Sequence, residues 1–278
     1  MKAAALAMTF LAAVSCGPTR RAASTLPVNP FPDVDQGGKV AIVAHRGFWK
    51  SDAAQGAQNS IAALKAAQDN GFWGSEFDIR LTKDGVVVVN HDPDLQGMKI
   101  VDHTYEQLLA CNLANGEKIP TLDEYLAQGK KSRKTRLVVE FKDMKSPALN
   151  NELVTKTLDA IKAHGLFDPS RVLFISFNHD VCLRIAREAP AFINQYLNGN
   201  LSPDTLAKEG INGIDYNESV IALHPKWPSD CAALGMSSNV WTVDSETGMK
   251  AMVEAGAGAI TTNEPLKLRE ILGKNECR

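Results

Sequence analysis

Short apolar runs alternate with amphipathic stretches along most of the chain after Gly38. The runs have the length and β-branched content of buried strands, whereas the stretches carry apolar residues at helical spacing. The predicted strands are Val40–Ala44, Gly74–Ile79, Val86–Asn90, Arg136–Phe141, Val172–Phe177, Ile193–Leu197, Gly213–Tyr216, Val240–Val243 and Ala259–Thr262. The predicted helices are Ile61–Asp69, Leu149–His164, His179–Ala189, Ser219–Leu234, Glu246–Ala255 and Leu266–Leu272. Repeated strand–helix units form a parallel α/β sheet, which is either a closed (β/α)8 barrel or an open doubly wound sheet.

The segment between Phe77 and His91 departs from this alternation, because no helix fits there. Only the tetrapeptide Thr82-Lys83-Asp84-Gly85 separates the two apolar runs. Asp-Gly between two such runs is a strong hairpin signal. We therefore expect an antiparallel pair of strands that carries His91 back beside Glu76.

The N-terminus resembles a secretory signal, with one positive residue followed by the apolar run Ala3–Val14 and then Ser15-Cys16-Gly17. The run is shorter than the roughly 20 residues that a membrane-spanning helix needs. Ala13-Val14-Ser15-Cys16 resembles a bacterial lipobox, although leucine is more usual at the position of Ala13. We expect residues 1–15 to be a signal peptide and Cys16 to be lipidated, with a free secreted form cleaved nearby as the alternative.

These features predict an exported protein of the bacterial cell envelope, anchored as a lipoprotein in the periplasm or at the outer membrane. Residues 16–38 contain Pro, Thr, Ser, Asn and Gly with little periodicity, so they are predicted to be a flexible tether. No compositional break follows, and residues 39–278 are predicted to be one barrel domain.

The composition narrows the possible classes of protein. Of 278 residues, 44% are hydrophobic and 22% charged, and the formal net charge is −2. These values exclude a mainly disordered chain, and they give no basic excess of the kind a nucleic-acid partner requires. Cys111 and Cys182 lie among helical apolar positions and are expected to be buried free thiols. The sequence carries no signal for an oligomeric state.

Polar residues stand where the predicted strands end, which is where barrel enzymes carry their active sites. They are His45 and Arg46 after the first strand, Glu76 and Asp78 on the second, His91 after the hairpin, and Glu140 and Lys142 at the fourth. Three clustered carboxylates repel one another unless a cation lies between them, and oxygen ligands suit one Mg²⁺ or Ca²⁺ ion.

The remaining groups point to phosphoryl chemistry. Arg46 and Lys142 offer positive charge to an anionic group, and a guanidinium matches phosphate oxygens well. His45 and His91 can exchange protons near neutral pH. A metal, two cationic groups and two proton carriers together indicate metal-dependent cleavage of a phosphoric ester.

The ordered motifs resemble the glycerophosphodiester phosphodiesterase family. They are His45-Arg46-Gly47, Gln58-Asn59-Ser60, Glu76-Phe77-Asp78, Thr82-Lys83-Asp84-Gly85, His91-Asp92-Pro93, Ile119-Pro120-Thr121-Leu122, Glu140-Phe141-Lys142, Ser176-Phe177, Trp241-Thr242-Val243-Asp244 and Ile260-Thr261-Thr262-Asn263-Glu264-Pro265. The resemblance covers about residues 40–272, and it implies that residues 93–135 are an insertion between the hairpin and the fourth strand. It implies a TIM-type barrel that hydrolyses glycerophosphodiesters to glycerol 3-phosphate and an alcohol, using a divalent cation.

By motif position, the resemblance implies that His45 and His91 are the acid–base pair and that Arg46 contacts the phosphate, with Lys142 beside it. It likewise implies that Glu76, Asp78 and Glu140 hold the metal. The chain departs from the family pattern at three positions: Gln58 stands where Glu is usual, Asp244 where Asn is common, and Asn263 where Asp is common. The alternatives are a sphingomyelinase D-like or phosphatidylinositol phospholipase-like enzyme, and a lipoprotein that binds phosphodiesters without cleaving them.

Overall fold

A ring of parallel strands forms the centre of the computed structural model, which describes residues 40–275. The strands are β1 (Ala41–Ala44), β2 (Gly74–Leu81), β3 (Val87–Val89), β4 (Asp94–Leu95), β5 (Met98–Lys99), β6 (Arg136–Phe141), β7 (Val172–Ser176), β8 (Asn194–Tyr196), β9 (Gly213–Asn217), β10 (Ser237–Trp241) and β11 (Ala259–Thr262). Among the described residues, eight parallel strands pair in the order β1-β11-β10-β9-β8-β7-β6-β2. Pairing of Val43 with Gly74 joins β1 to β2 and closes the barrel, so the open-sheet alternative is excluded.

Helices surround this barrel. They are α1 (Ile61–Asp69), α2 (Tyr105–Leu108), α3 (Leu122–Gly129), α4 (Pro147–Ala163), α5 (His179–Glu188), α6 (Pro203–Lys208), α7 (Glu218–Leu223), α8 (Trp227–Ala233), α9 (Glu246–Glu254) and α10 (Pro265–Asn275), with a 3-10 turn at Ile100–Asp102. Several begin at side-chain caps, such as Ser60 for α1 and Ser146 for α4. The predicted TIM-type barrel is confirmed.

The hairpin predicted after the second barrel strand is present. β3 pairs antiparallel with β2, and Ile79 lies opposite Val89. The pairing continues past β3, because the backbone N–H of Asn90 donates to the carbonyl of Asp78 at 2.9 Å. His91 is therefore held beside the part of β2 that carries Glu76 and Asp78.

The segment predicted to be an insertion contains two different parts. Residues 93–120 include the small β4–β5 pair and α2, with a core of their own around Leu108 and Ile119. α3 instead packs between α1 and α4, so it occupies the place of a barrel helix. The sequence analysis did not predict α3, α2 or α6.

The predicted helix Ser219–Leu234 is wrong, because the chain forms α7 and α8 there instead. Pro225 explains the break, since a proline disfavours helical geometry at the residue before it. His224 has φ −128° and ψ 62° and ends α7. Its ring stacks on Trp227 at 4.0 Å.

Apolar side chains fill the space between barrel and helices in two large clusters, and a third cluster fills the barrel interior around Val138 and Ile175. The expected buried free thiols at Cys111 and Cys182 are confirmed. Within residues 40–275, no helix is long and apolar enough to cross a membrane. The predicted signal peptide, the lipidated Cys16 and the tether lie outside the described residues.

Candidate active site

The turn after β1 brings His45 and Arg46 to the mouth of the barrel. Arg46 has φ +55° and Gly47 has φ +77°, so the chain reverses through two left-handed residues. A side chain at position 47 would place its Cβ 2.7 Å from that of Ala63, which explains the glycine. The turn directs the backbone N–H of Arg46 to Glu76 Oε2 at 2.7 Å. A strained backbone at this place is typical of a functional site.

Three carboxylates predicted to bind a metal meet at this mouth. Glu76 and Asp78 lie on the same face of β2, and Asp78 is in register with Glu140 on the neighbouring β6. One oxygen from each residue lies within 4.8 Å of the others, and all three side chains are buried. Burial and the Asp78 carboxylate raise the pKa of Glu76 well above its usual range, and they raise the pKa of Glu140 to about 7.

The pKa of Asp78 shifts in the opposite direction from those of Glu76 and Glu140, because Asp78 has more polar partners. Asn59 donates to Asp78 Oδ2 at 2.8 Å and accepts from the Asp78 backbone N–H at 3.1 Å. Burial alone would raise the pKa of Asp78, but the charges of Lys142 and His91 and the Asn59 hydrogen bond hold it below its usual value. Asn59 was part of a quoted motif, yet the sequence analysis gave it no role.

The two predicted phosphate-binding cations lie against the carboxylates. Lys142 Nζ is 3.2 Å from Asp78 Oδ1 and 2.6 Å from Glu140 Oε1. Arg46 Nε is 3.8 Å from Asp78 Oδ2, and its NH1 donates to Gln58 Oε1 at 2.5 Å. Gln58, which stands where glutamate is usual in the resembled family, therefore accepts from the Arg46 guanidinium through a neutral amide oxygen instead of a carboxylate.

The carboxylate cluster fits a divalent cation. Glu76 Oε1 is buried and has no hydrogen-bond partner among the described residues. Leaving a buried acceptor unsatisfied costs about 1–3 kcal/mol, and a hard cation is the ligand that oxygen-only groups prefer. The fit supports one Mg²⁺ or Ca²⁺ ion and does not distinguish between them.

The two histidines approach the same cavity from different segments. His45 Nδ1 is 2.9 Å from Asn263 Oδ1, and its Nε2 is 4.0 Å from Glu76 Oε2. Burial, reinforced by Arg46, lowers the pKa of His45 to about 4. His91 is more exposed, and its Nδ1 lies 2.7 Å from Asp92 Oδ1. Burial also lowers the pKa of His91.

A cavity of about 230 Å³ joins these groups. Its lining includes six of the predicted site residues: His45, Arg46, Glu76, His91, Glu140 and Lys142. The rest of its wall is formed by Ile175, Phe177, Leu197, Asp215, Trp241, Thr242 and Thr261. Six of the seven residues predicted to act in the site thus line one cavity, and the seventh, Asp78, is buried against Lys142. A cavity lined by both charged and apolar side chains suits a ligand with an anionic group and a less polar part.

Asp215 is a lining residue that the sequence analysis missed. It is 1% exposed, and its Oδ1 has no hydrogen-bond partner within residues 40–275. Burial and the Glu140 carboxylate raise the pKa of Asp215 well above its usual value, which favours its neutral form. The sequence signal that could have identified Asp215 is its acidic side chain between Ile214 and Tyr216 in a buried strand.

Residues 45–267 match the sequence model of the Glycerophosphoryl diester phosphodiesterase family. The chain belongs to this family. It is 28% identical over 251 residues to a glycerophosphodiester phosphodiesterase of Caldanaerobacter subterraneus subsp. tengcongensis, covering 85% of this chain and 99% of that one.

Solved structures agree with the family assignment. The crystal structure of a glycerophosphodiester phosphodiesterase from Parabacteroides distasonis is 42% identical, has a TM-score of 0.82, and covers 86% of this chain and 98% of that one. An Oleispira antarctica phosphodiesterase in complex with the product sn-glycerol-3-phosphate shares the fold, with a TM-score of 0.72, 22% identity and coverage of 84% and 96%. The predicted family, and an enzyme of the phosphoric diester hydrolase class, are confirmed.

Proposed function

We propose that this protein hydrolyses glycerophosphodiesters to glycerol 3-phosphate and an alcohol, with one divalent cation and with His45 and His91 as the proton-transfer pair. The observation that carries the proposal is the single cavity that joins both histidines, both cations and two of the three carboxylates. Family membership supports the reaction class.

The charged side chains at the cavity would bind the phosphate group of the substrate. Glu76, Asp78 and Glu140 would hold the divalent cation, which supplies positive charge to the phosphate oxygens and polarises the phosphorus centre. Arg46 and Lys142 bring two further positive charges, and Arg46 Nε is buried without a hydrogen-bond partner among the described residues. A phosphate oxygen is a suitable acceptor for that N–H.

Proton transfer would follow from the position of the two imidazoles in one cavity. One imidazole removes a proton from the nucleophile, which is either a hydroxyl of the substrate glycerol or a water, as its oxygen bonds to phosphorus. The bond from phosphorus to the leaving oxygen breaks, and the second imidazole protonates that oxygen. If the glycerol hydroxyl attacks, a cyclic phosphate forms, and water opens it with the two roles reversed.

A substrate panel tests the proposal. We expect release of glycerol 3-phosphate from glycerophosphocholine, glycerophosphoethanolamine, glycerophosphoglycerol or glycerophosphoinositol, and loss of that activity in chelator with recovery on adding Mg²⁺ or Ca²⁺. Intact phosphatidylcholine, phosphatidylinositol and sphingomyelin in the same panel represent the lipid-phosphodiesterase alternative. Cleavage of intact lipids alone would overturn the substrate assignment. Binding of glycerophosphodiesters without turnover would favour the non-catalytic alternative.

We also propose that the protein is exported and anchored to a membrane of the bacterial cell envelope by lipid on Cys16. The support is the apolar run that ends at Ala13-Val14-Ser15-Cys16. Mass spectrometry of the mature protein is expected to show an N-terminal peptide that begins at a lipid-modified Cys16. The Cys16→Ser variant should lose that modification and its membrane association. An unmodified mature N-terminus at another residue would refute the lipoprotein.

A further inference from the structure

The side chain of Asn263, at the loop after β11, lies directly behind the ring of His45. Its Oδ1 is 2.9 Å from His45 Nδ1. The same oxygen accepts a hydrogen bond from Trp49 Nε1 at 2.9 Å. An indole nitrogen is a donor only, so this contact identifies the atom as the amide oxygen.

The other end of the amide gives the same orientation. Asn263 Nδ2 donates to Asp244 Oδ2 at 2.7 Å. Asp244 Oδ1 is already occupied, since it accepts from the Asn263 backbone N–H at 2.8 Å and from the Thr262 hydroxyl at 3.1 Å. A flipped amide would set N–H against N–H at Trp49 and oxygen against carboxylate at Asp244. Both ends of Asn263 are therefore fixed by partners that cannot exchange donor for acceptor.

The protonation of the His45 ring follows from this arrangement. Because Asn263 Oδ1 can only accept, Nδ1 of His45 must carry the hydrogen of the neutral ring. Nε2 then bears a lone pair and lies 4.0 Å from Glu76 Oε2, and the His45 residue lines the cavity. That separation is too long for a hydrogen bond, so Nε2 remains available to a ligand proton.

We propose that Asn263, held by Asp244 and Trp49, is a positioning residue that fixes His45 as the Nδ1–H tautomer and thereby makes His45 the group that accepts the proton of the nucleophile. His91 is then the residue that protonates the leaving oxygen. The role in catalysis rests on the proposed function, whereas the tautomer is a property of the protein without substrate.

The tautomer can be measured directly. The experiment uses the full chain with ¹⁵N-labelled histidine and long-range ¹H–¹⁵N correlation at neutral pH, with the His45→Gln variant identifying the His45 signals. We expect a protonated, pyrrole-type Nδ1 and an unprotonated, pyridine-type Nε2. A pyridine-type Nδ1 would overturn the proposal, whether or not the protein cleaves glycerophosphodiesters.

Exchanging the two partners tests the positioning role. In Asn263→Asp two carboxylates face each other. In Asp244→Asn the new NH2 group must face another donor, either the side-chain NH2 or the backbone N–H of Asn263. Each single variant should lower kcat by about tenfold or more, with KM changed less, because the His45 ring loses its fixed orientation. The double variant Asn263→Asp/Asp244→Asn again pairs a donor with an acceptor, and it should recover most of kcat and the Nδ1–H signal.

The double variant also separates positioning from simple packing. If Asn263 were only a structural contact between the two loops, Asn263→Leu would retain kcat once folding is confirmed, and that result would refute the proposal. A double variant no better than the product of the single variants would refute it as well. The wild-type spectrum decides the tautomer even if a single variant fails to fold. Absence of turnover in the wild type would instead refute the proposed function.

Discussion

Replacing His45 or His91 by alanine is expected to lower kcat for glycerophosphodiester hydrolysis by about 10²- to 10⁴-fold, with the fold retained. Each imidazole lines the cavity and is proposed to transfer one proton in each step. Proton transfer by a positioned group is worth this factor, which corresponds to roughly 3–5 kcal/mol of activation free energy. The measurement is steady-state kinetics with release of glycerol 3-phosphate as the readout.

A matched control is available in His164, which lies at the end of α4 and pairs with Asp123 at 2.9 Å outside the cavity. His164→Ala should leave kcat unchanged. The double variant His45→Ala/His91→Ala should lose less than the product of the two single losses, because paired groups act as a unit. An alanine variant that folds and keeps near wild-type turnover would remove that histidine from the reaction.

The barrel and its hairpin were predictable because both depend on local pattern. Alternating apolar runs and helical stretches define the βα units, and Asp84-Gly85 between two apolar runs defines the turn into β3. The failures have local causes as well. A continuous apolar periodicity masked the effect of Pro225 on the residue before it. The helix α3 is short, and it follows the small β4–β5 pair and α2 instead of following a barrel strand directly.

The site was predictable in part, since strand ends of a parallel barrel meet at one mouth. That rule brings Glu76 and Glu140 together without knowledge of their distance. It does not reveal that Lys142 forms an ion pair with Glu140, or that Asn59 holds Asp78, because both contacts depend on side-chain conformation. Asp215 was missed because no second charged residue lies two positions away on its strand, as Asp78 does from Glu76 and Lys142 does from Glu140.

Hydrogen bonds connect His45 through Asn263 to Asp244. This connection explains two departures from the family pattern that the sequence alone leaves unexplained. The residue types at positions 244 and 263 differ from the pattern common in the resembled family, and each difference taken alone suggests a lost interaction. In the structure they form one donor–acceptor pair at 2.7 Å. Positions 244 and 263 together therefore still hold one amide and one carboxylate. The amide of Asn263 contacts the His45 imidazole, and the carboxylate of Asp244 lies one hydrogen bond farther away.

The metal-free protein is expected to lose stability as pH rises through the range in which Glu140 ionises. Burial and the Asp78 carboxylate raise the pKa of Glu140 from 4.5 to about 7, so the folded state binds this proton more tightly than the unfolded state. Unfolding free energy should therefore fall between about pH 4.5 and pH 7, by about 3 kcal/mol at 1.36 kcal/mol per pKa unit. Thermal melts in chelator at several pH values measure this loss.

The Glu140→Gln variant links that pH dependence to the proposed cation site. The introduced amide still accepts from Lys142 but carries no charge, so the metal-free variant should melt higher than wild type at pH 8, by about 6–12 °C. Saturating Mg²⁺ or Ca²⁺ should stabilise wild type, by about 2.7 kcal/mol at 100 times Kd, and should have much less effect on the variant. The exposed Glu254→Gln serves as the control and should change neither response. Wild-type melts that are flat between pH 5 and pH 8 and insensitive to either cation would contradict a metal site built from Glu76, Asp78 and Glu140.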